Sequence, residues 1–341
     1  MDAQTAESLL NFAEEAGPSL RGPESKALFE QFDQKYGDLQ SALQWYIDEE
    51  RATESFRLAS ALVAFWMATK RMEEGCVWFD RALALPGGED VQRGRASFDA
   101  GYLTFWRGDY ERSWLLQNRA LELGRRTNNP TVTALALVGL ARIALFTDVE
   151  EARKLCREAI AVTEGTADRA GRSSAMHVLG AAAQMAGDFL EARDIMSQRI
   201  ALGREMGNLA IVSIECNNLS MVERQLGNLD RAEALAREAL EIDYQRGNAQ
   251  SIPWMVNGLA AVARDRGEFK HAATLIGIAD AAMEAAGGAW PPDELVHYQR
   301  TVATITEAMG SAQFERARAA GRSMTLPKAV NFALGTRSAG S

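Results

Sequence analysis

The sequence has few of the residues on which many active sites and metal sites depend. Its 341 residues include three histidines and three cysteines. The HExxH, GxSxG and GxGxxG signatures of metalloproteases, serine hydrolases and dinucleotide-binding proteins do not occur. His177, His271 and His297 share no metal-ligand spacing. We therefore expect a protein that is not an enzyme and that carries no metal ion or cofactor.

Cysteine usage also excludes a disulfide framework. Cys76, Cys156 and Cys216 are odd in number and far apart, and no CxxC pair occurs. This pattern favours free thiols over disulfide bonds, and it gives no sign of a thiolate zinc site. Cys156 falls on a predicted core position, where we expect an unreactive side chain.

Long apolar runs and basic stretches are missing as well. No run approaches the roughly 18 apolar residues that a membrane-spanning helix needs. Met1 to Gln4 carry no basic segment ahead of an apolar core, so we predict no secretory signal peptide. The net charge is −9 and Lys and Arg form no stripe, which argues against nucleic-acid binding. We expect a cytoplasmic protein that binds neither membranes nor nucleic acid.

What the chain does contain is one short pattern that occurs six times. The pattern is Gly-Asp-Phe or a variant of it, and we call its first residue the step. The steps are Lys70, Gly108, Thr147, Gly187, Gly227 and Gly267. Their intervals are 38, 39, 40, 40 and 40 residues, and such constant spacing predicts a protein built from stacked repeats.

Small residues recur at fixed distances from the step. Five positions after it come Gly75, Ser113, Ala152, Ala192, Ala232 and Ala272. Twelve positions after it come Ala82, Ala120, Ala159, Arg199, Ala239 and Ala279. Small side chains at fixed places let antiparallel helices approach closely, so we expect both columns to lie between packed helices.

The step itself predicts a turn between two helices. Gly adopts a positive φ at the end of the first helix, and the Asp or Asn that follows can cap the second. β-Branched residues do not alternate with polar residues over stretches long enough to form a β-strand, so no strands are expected. Each unit is therefore a pair of helices joined by a tight turn.

Shortly before each step, the first helix carries a pair of residues that is usually Leu followed by a small residue: Leu62-Val63, Ala100-Gly101, Leu140-Ala141, Leu179-Gly180, Leu219-Ser220 and Leu259-Ala260. This Leu-small pair, together with Ala in the second helix, resembles the tetratricopeptide repeat (TPR). The long unit is similar to the repeats of bacterial LuxR-type and SARP-type signal-transduction ATPase regulators. Residues 36–50 are similar to the helix that enters the repeat region of those regulators, and residues 272–334 resemble their terminal cap. The chain departs from them in lacking a GxxxxGK[ST] phosphate loop.

The resemblance implies an all-α, right-handed TPR-like superhelical solenoid of six ~40-residue helix pairs. We expect an N-terminal helical segment at 1–52, the six repeats at 53–285, a C-terminal helical cap at 286–334 and a disordered tail at 335–341. Trp290 is predicted to cover the exposed end of the last repeat, because a terminal repeat has no neighbour there.

In TPR proteins the first helices line a concave wall, and the repeat register places candidate ligand-binding residues on it. These candidates are Phe98, Tyr102, Phe105, Arg142, His177, Gln184, Asn217, Arg224, Trp254, Asn257 and Arg264. Their character changes along the chain from aromatic to amide, imidazole and guanidinium. The wall is therefore expected to offer apolar contacts in one half and hydrogen-bond donors in the other.

Arg224 and Arg264 are expected to converge on one anion, a carboxylate or a phosphate, with Asn217 and Asn257 donating nearby. A structural role stays open for the same residues. The asparagines can bond between neighbouring helices, and the arginines lie near helix C-termini, where the helix dipole favours cations. The aromatic candidates can equally be core residues.

The resemblance implies a sensor or protein-interaction domain of a bacterial transcriptional regulator, which binds a ligand, peptide or partner protein on its concave face. The alternative is a stand-alone adaptor that holds an acidic peptide or a C-terminal carboxylate and has no transcriptional role. An enzyme that uses the groove as a pocket would need a clustered acid or base with a perturbed pKa. The partners expected are a protein or peptide and a small anionic ligand.

Overall fold

The computed structural model describes residues 1–21, 25–286, 288–290 and 292–335. These residues form seventeen α-helices and no β-strand, which confirms the predicted all-α class. No helix in the described ranges is long and apolar enough to cross a membrane. Of the tail predicted at 335–341, all but Gly335 lies outside the described residues.

The helices follow the predicted pairing, and the turn between the two helices of each pair falls on a step. α1 (Ala3–Ala16) and α2 (Ser25–Asp48) precede the repeats, with a short 3-10 turn (Gly17–Arg21) between them. The helices of the repeat region are α3 (Ala52–Ala68), α4 (Met72–Ala84), α5 (Asp90–Trp106), α6 (Tyr110–Arg126), α7 (Pro130–Ala144), α8 (Val149–Thr163), α9 (Arg169–Met185), α10 (Phe189–Glu205), α11 (Leu209–Gln225), α12 (Leu229–Gln245), α13 (Ile252–Asp265) and α14 (Phe269–Ala285). The last three helices are α15 (Pro292–Met309), α16 (Ser311–Arg322) and α17 (Leu326–Leu334). The exact number of repeats and the segment boundaries stay predictions.

The turn at the step has the predicted positive φ in five of the six copies; the exception is Thr147, a β-branched residue for which positive φ is unfavourable. Positive φ angles of 78° to 82° occur at Gly108, Gly187, Gly227 and Gly267. Asp109, Asp148 and Asp188 each accept a hydrogen bond from the backbone N–H three residues later, at 3.0 to 3.3 Å. Lys70 takes the same left-handed conformation, with φ 59°, in the copy that has no glycine. The turn is therefore set by local sequence, as expected for a helix cap.

The helices form two compact units that divide between Ala182 and Ala183, inside α9. In the first unit, α1 and α2 pack against α3 and close the beginning of the repeats. Its core is rich in fully buried aromatic residues: Phe32, Phe56, Phe65, Trp66 and Phe79. The indole N–H of Trp66 donates to the Tyr36 hydroxyl at 2.8 Å, so this polar group is satisfied inside the core.

The predicted small columns are buried. Outside these columns, two glycines make room for one large side chain. Gln117 of α6 lies between Gly101 of α5 and Gly139 of α7. A Cβ at Gly101 would be 2.5 Å from Gln117 Nε2, and a Cβ at Gly139 would be 2.3 Å from its Cδ. The Gln117 amide donates to the carbonyl oxygen of Phe98 at 3.2 Å. One large polar side chain thus joins three helices where two glycines leave space for it.

In the second unit the aliphatic core is interrupted by one charged residue. Arg199 stands where the other copies have alanine, and its guanidinium forms an ion pair with Glu215 of α11. The two side chains are 8% and 0% exposed. Buried charges are costly unless paired, so the break in the repeat pattern is offset by an opposite charge on the adjoining first helix.

We predict that Glu215→Ala lowers the free energy of unfolding by about 3–5 kcal/mol, because it removes the carboxylate from a buried guanidinium. The double variant Arg199→Ala, Glu215→Ala restores alanine to the column and should recover most of this loss. Urea denaturation of the two variants measures both effects. A single variant that is no less stable than the double variant would contradict the compensation.

The C-terminal cap is held by an unusually close contact between α14 and α16. A Cβ at Gly277 would lie 1.9 Å from the carbonyl oxygen of Arg318, and a Cβ at Gly321 would lie 2.0 Å from that of Thr274. Asp280 then bonds two cap residues, since it accepts from Arg318 Nε and from the Tyr298 hydroxyl, both at 2.7 Å. The glycines set the distance and the polar bonds fix the orientation.

We predict that Gly321→Ala lowers the free energy of unfolding by at least about 1–3 kcal/mol, because the added methyl group meets backbone that cannot rotate away. Gly37→Ala is the matched control. Gly37 lies within α2 with nothing near its missing Cβ, so alanine there should stabilise the helix by up to about 1 kcal/mol. Thermal denaturation compares the variants, and equal stability of the two would contradict the close contact.

Candidate functional site

The candidate residues all lie on the first helices of the pairs, and every one of them is half-buried. Phe98, Tyr102 and Phe105 lie on α5, Arg142 on α7 and His177 on α9, all in the first unit. The second unit contributes Gln184 of α9, Asn217 and Arg224 of α11, and Trp254, Asn257 and Arg264 of α13. Half-buried side chains are held by neighbours yet keep accessible atoms. The ligand contacts assigned to them stay predictions.

The aromatic candidates of the first unit form part of a larger group, which we call the aromatic row. It consists of Phe98, Tyr102, Phe105, Trp106, Tyr110 and Phe146. Phe98 stacks on Tyr102 with ring centroids 6.1 Å apart, and Tyr102 meets the edge of Trp106 at 6.1 Å. Phe105 contacts Trp106 at 5.5 Å. The row is therefore continuous along the last turns of α5.

The row crosses from one turn to the next. Phe105 contacts Tyr110 at 5.5 Å and Phe146 at 6.1 Å, and Tyr110 stacks on Phe146 at 5.4 Å. Trp106, Tyr110 and Phe146 remain 50%, 43% and 64% exposed. Such a contiguous exposed patch of large apolar side chains is typical of an interaction surface.

Sequence reasoning missed the exposed half of the row. Trp106 and Tyr110 flank the step at Gly108, and Phe146 directly precedes the step at Thr147. They lie outside the columns that were carried over from the TPR register. The signal that would have found them is a cluster of aromatic residues around two successive turns.

In the second unit Arg224 and Arg264 both bond a carboxylate of the chain itself, and their binding of an external anion stays a prediction. Arg224 Nη1 donates to Asp265 Oδ2 at 2.8 Å, and Arg264 Nε donates to Asp265 Oδ1 at 2.7 Å. Arg264 Nη1 also donates to the Thr301 hydroxyl of α15 at 3.0 Å. Asp265 is the last residue of α13, where the helix dipole disfavours an anion, so the two guanidinium groups stabilise it.

The other candidates of the second unit show mixed roles. Asn257 Oδ1 is buried and has no hydrogen-bond partner in the described part of the chain, which leaves an unused acceptor on α13. Trp254 meets the edge of Trp290 at 5.7 Å, and Trp290 stacks on Tyr298 at 5.2 Å. Trp254 is therefore partly covered by the C-terminal cap.

The cysteines and histidines form no reactive centre in the described residues. All three cysteines are buried free thiols, and burial raises the pKa of Cys156 and of Cys216 to about 12. These two thiols stay protonated near neutral pH and are poor nucleophiles. Within the described ranges no group of three or more His, Cys, Asp or Glu side chains is placed to hold a metal ion.

Comparison with known proteins supports this fold. The sequence profile of the family described as Tetratricopeptide repeat matches residues 216–246, and no curated protein matches the sequence. A Rap protein crystallised with Competence and Sporulation Factor is similar at 11% identity and a TM-score of 0.58, over 96% of this chain and 98% of that one. The fold is TPR-like.

Two further structures share the architecture. The apo form of the quorum sensor NprR from B. thuringiensis is similar at 13% identity and a TM-score of 0.56, over 91% of this chain and 85% of that one. A signal-transduction ATPase with a tetratricopeptide repeat sensor, from Pyrococcus horikoshii, is similar at 10% identity and a TM-score of 0.53. The similarity covers 98% of this chain but 52% of that ATPase. At these identities the comparisons establish the fold alone.

We predict that Asp265 competes with any external carboxylate for Arg224 and Arg264. Asp265→Asn should therefore tighten the binding of a short alanine peptide with a free C-terminal carboxylate by about tenfold, because it frees charged donors. Isothermal titration calorimetry compares the acid with the same peptide as its C-terminal amide.

Asp230→Asn is the control for the loss of one negative charge, since Asp230 is an exposed carboxylate that pairs with Arg266 and not with Arg224 or Arg264. It should leave the binding of the acid unchanged. If Asp265→Asn binds acid and amide equally, the two arginines do not accept an external carboxylate.

Proposed function

We propose that this chain is a non-enzymatic recognition module that binds a peptide or protein partner through the first helices of its repeats. The observation that carries the proposal is the exposure of Trp106, Tyr110 and Phe146 in one contiguous patch. Large aromatic side chains are enriched at interfaces because they bury much apolar area on binding. The partner we expect presents apolar or aromatic side chains to this row.

The second unit adds a different chemistry. Arg224 and Arg264 carry two positive charges against the one negative charge of Asp265, so the cluster has a net charge of +1. Asn257 Oδ1 has no hydrogen-bond partner among the described residues, and it can accept from an N–H group of a partner but not from its carboxylate. We propose that this surface binds an acidic or C-terminal carboxylate group of a partner, or a small anionic ligand.

The proposed biological role is that of a sensor domain in a bacterial transcriptional regulator of the cytoplasm. Two features support it: the likeness of residues 272–334 to the cap of LuxR-type and SARP-type regulators, and the shared fold with a TPR sensor of a signal-transduction ATPase. The similar NprR is named as a quorum sensor, and the similar Rap protein was crystallised with Competence and Sporulation Factor. A stand-alone adaptor is the alternative, and it would bind its partner without altering a linked ATPase.

The aromatic row can be tested with a displayed library of random short peptides. We expect the wild-type chain to enrich peptides with apolar anchors. The double variant Trp106→Ser, Phe146→Ser should bind the selected peptides at least about thirtyfold more weakly, the effect typical of losing an aromatic hot spot. Fluorescence polarisation measures the dissociation constants.

Trp114→Ser is the matched control, because Trp114 is a tryptophan of α6 that is 51% exposed and lies outside the row. It should leave peptide affinity unchanged. Equal weakening in the Trp114 variant would show non-specific apolar adhesion. Failure of the wild-type chain to enrich any peptide would also contradict the proposal.

A further inference from the structure

The first unit contains a second candidate binding site at the opposite end of α5 from the aromatic row. A pocket of about 510 Å³ is lined by the end of α4, the loop at 85–88, the start of α5 and the last turns of α6. Asp90 and Trp106 are the two ends of α5, a 17-residue helix about 24 Å long. The pocket is therefore separate from the surface proposed to bind a peptide.

One wall of the pocket is a buried arginine. Arg93 is 8% exposed, and its guanidinium lies over the Phe56 ring at 4.7 Å. It donates to the carbonyl oxygens of Leu83 at 3.0 Å and Leu85 at 2.7 Å, and also to that of Gly87. No carboxylate within the described ranges forms an ion pair with it. Burial, followed by the nearby charge of Arg119, lowers the pKa of Arg93. The charge of Asp90 acts in the opposite direction but forms no ion pair with Arg93, because the Asp90 carboxylate is paired with Arg126.

A second arginine faces the same space. Arg119 lines the pocket from α6, is exposed, and has no ion pair or hydrogen bond among the described residues. Arg126, the last residue of α6, also lines the pocket and is paired with Asp90 at 2.8 Å. The pocket therefore has three guanidinium groups against the carboxylates of Asp90 and Glu122, a net charge of +1. This excess positive charge is notable in a chain whose net charge is −9.

The start of α5 adds a third favourable feature. Its N-cap residue Glu89 makes no side-chain capping bond, and its neighbours Gly88 and Asp90 both line the pocket. Gly88 has a φ of +78°, and a Cβ there would lie 2.9 Å from Phe56 Cε2, so the loop is fixed in place by its glycine. The uncapped N–H groups at a helix N-terminus attract anions.

We propose that this pocket binds a small oxyanion, a carboxylate or a phosphate group, between the Arg119 guanidinium and the N-terminus of α5. Arg93 contributes a fixed positive charge behind it. The role of Arg93 in holding the loop accounts for its three carbonyl bonds, but it does not account for the placement of unpaired Arg119 beside a like charge. An oxyanion relieves that repulsion, since it attracts both groups. The proposal is independent of the peptide site.

The test uses the full chain and isothermal titration with inorganic phosphate and, separately, with succinate at low ionic strength. We expect Arg119→Gln to weaken the bound anion about tenfold or more, because it removes a charged donor. Arg125→Gln is the matched control: Arg125 is on the same helix, lies outside the pocket and pairs with Glu158 at 2.6 Å. Arg93 is left intact because its replacement would loosen the loop.

Each outcome decides the proposal. Phosphate binding that is lost in Arg119→Gln and kept in Arg125→Gln supports a site for a phosphate group, and the same result with succinate supports one for a carboxylate. Equal weakening in both variants would show general charge attraction and would overturn the site. No binding of either anion to the wild-type chain at millimolar concentration would overturn it as well.

Discussion

The structure depends on helices that approach so closely that some positions have no room for a Cβ. Gly277 and Gly321 bring the backbones of α14 and α16 together, and Gly101 and Gly139 enclose Gln117. The alanine and serine columns also let helices approach closely, and they are buried where the second helix of a pair meets the first. The first unit buries large aromatic side chains such as Phe32, Phe65 and Trp66 around α2 and α3, whereas Trp106, Tyr110 and Phe146 of the aromatic row stay exposed.

Charges obey a second constraint that operates between repeats. Many arginines pair with carboxylates about one repeat away, as in Arg125–Glu158 and Arg204–Glu238. Exposed pairs of this kind contribute little to stability, but they account for the charge of most helix faces. Arg93 differs from these arginines because it is buried, has no ion pair in the described part of the chain and lies near the like charge of Arg119.

Local patterns made much of the fold predictable from the sequence. The turn at Gly108 and Asp109 needs only a residue that tolerates positive φ and an acceptor for the next N–H group, and both are readable in a short stretch. The Leu-small register placed the candidate residues on the first helices.

The sequence did not predict the contacts that depart from the repeat pattern. Asp265 lies next to Arg264 in the chain and outside the columns, so its position between two guanidinium groups emerges only when α11 packs on α13. The aromatic row joins residues of two different turns, whose steps are 39 residues apart in the sequence. The pocket beside Arg93 depends on a loop at 85–88 that no other repeat copies.

Hydroxyl-radical footprinting with mass spectrometry is the most direct test of the central claim that the aromatic row is the recognition surface. The free chain is compared with the chain saturated by a selected peptide. We predict that Trp106, Tyr110 and Phe146 become protected while Trp114 keeps its reactivity. Unchanged oxidation of the three residues, or protection centred on Trp114, would contradict the account.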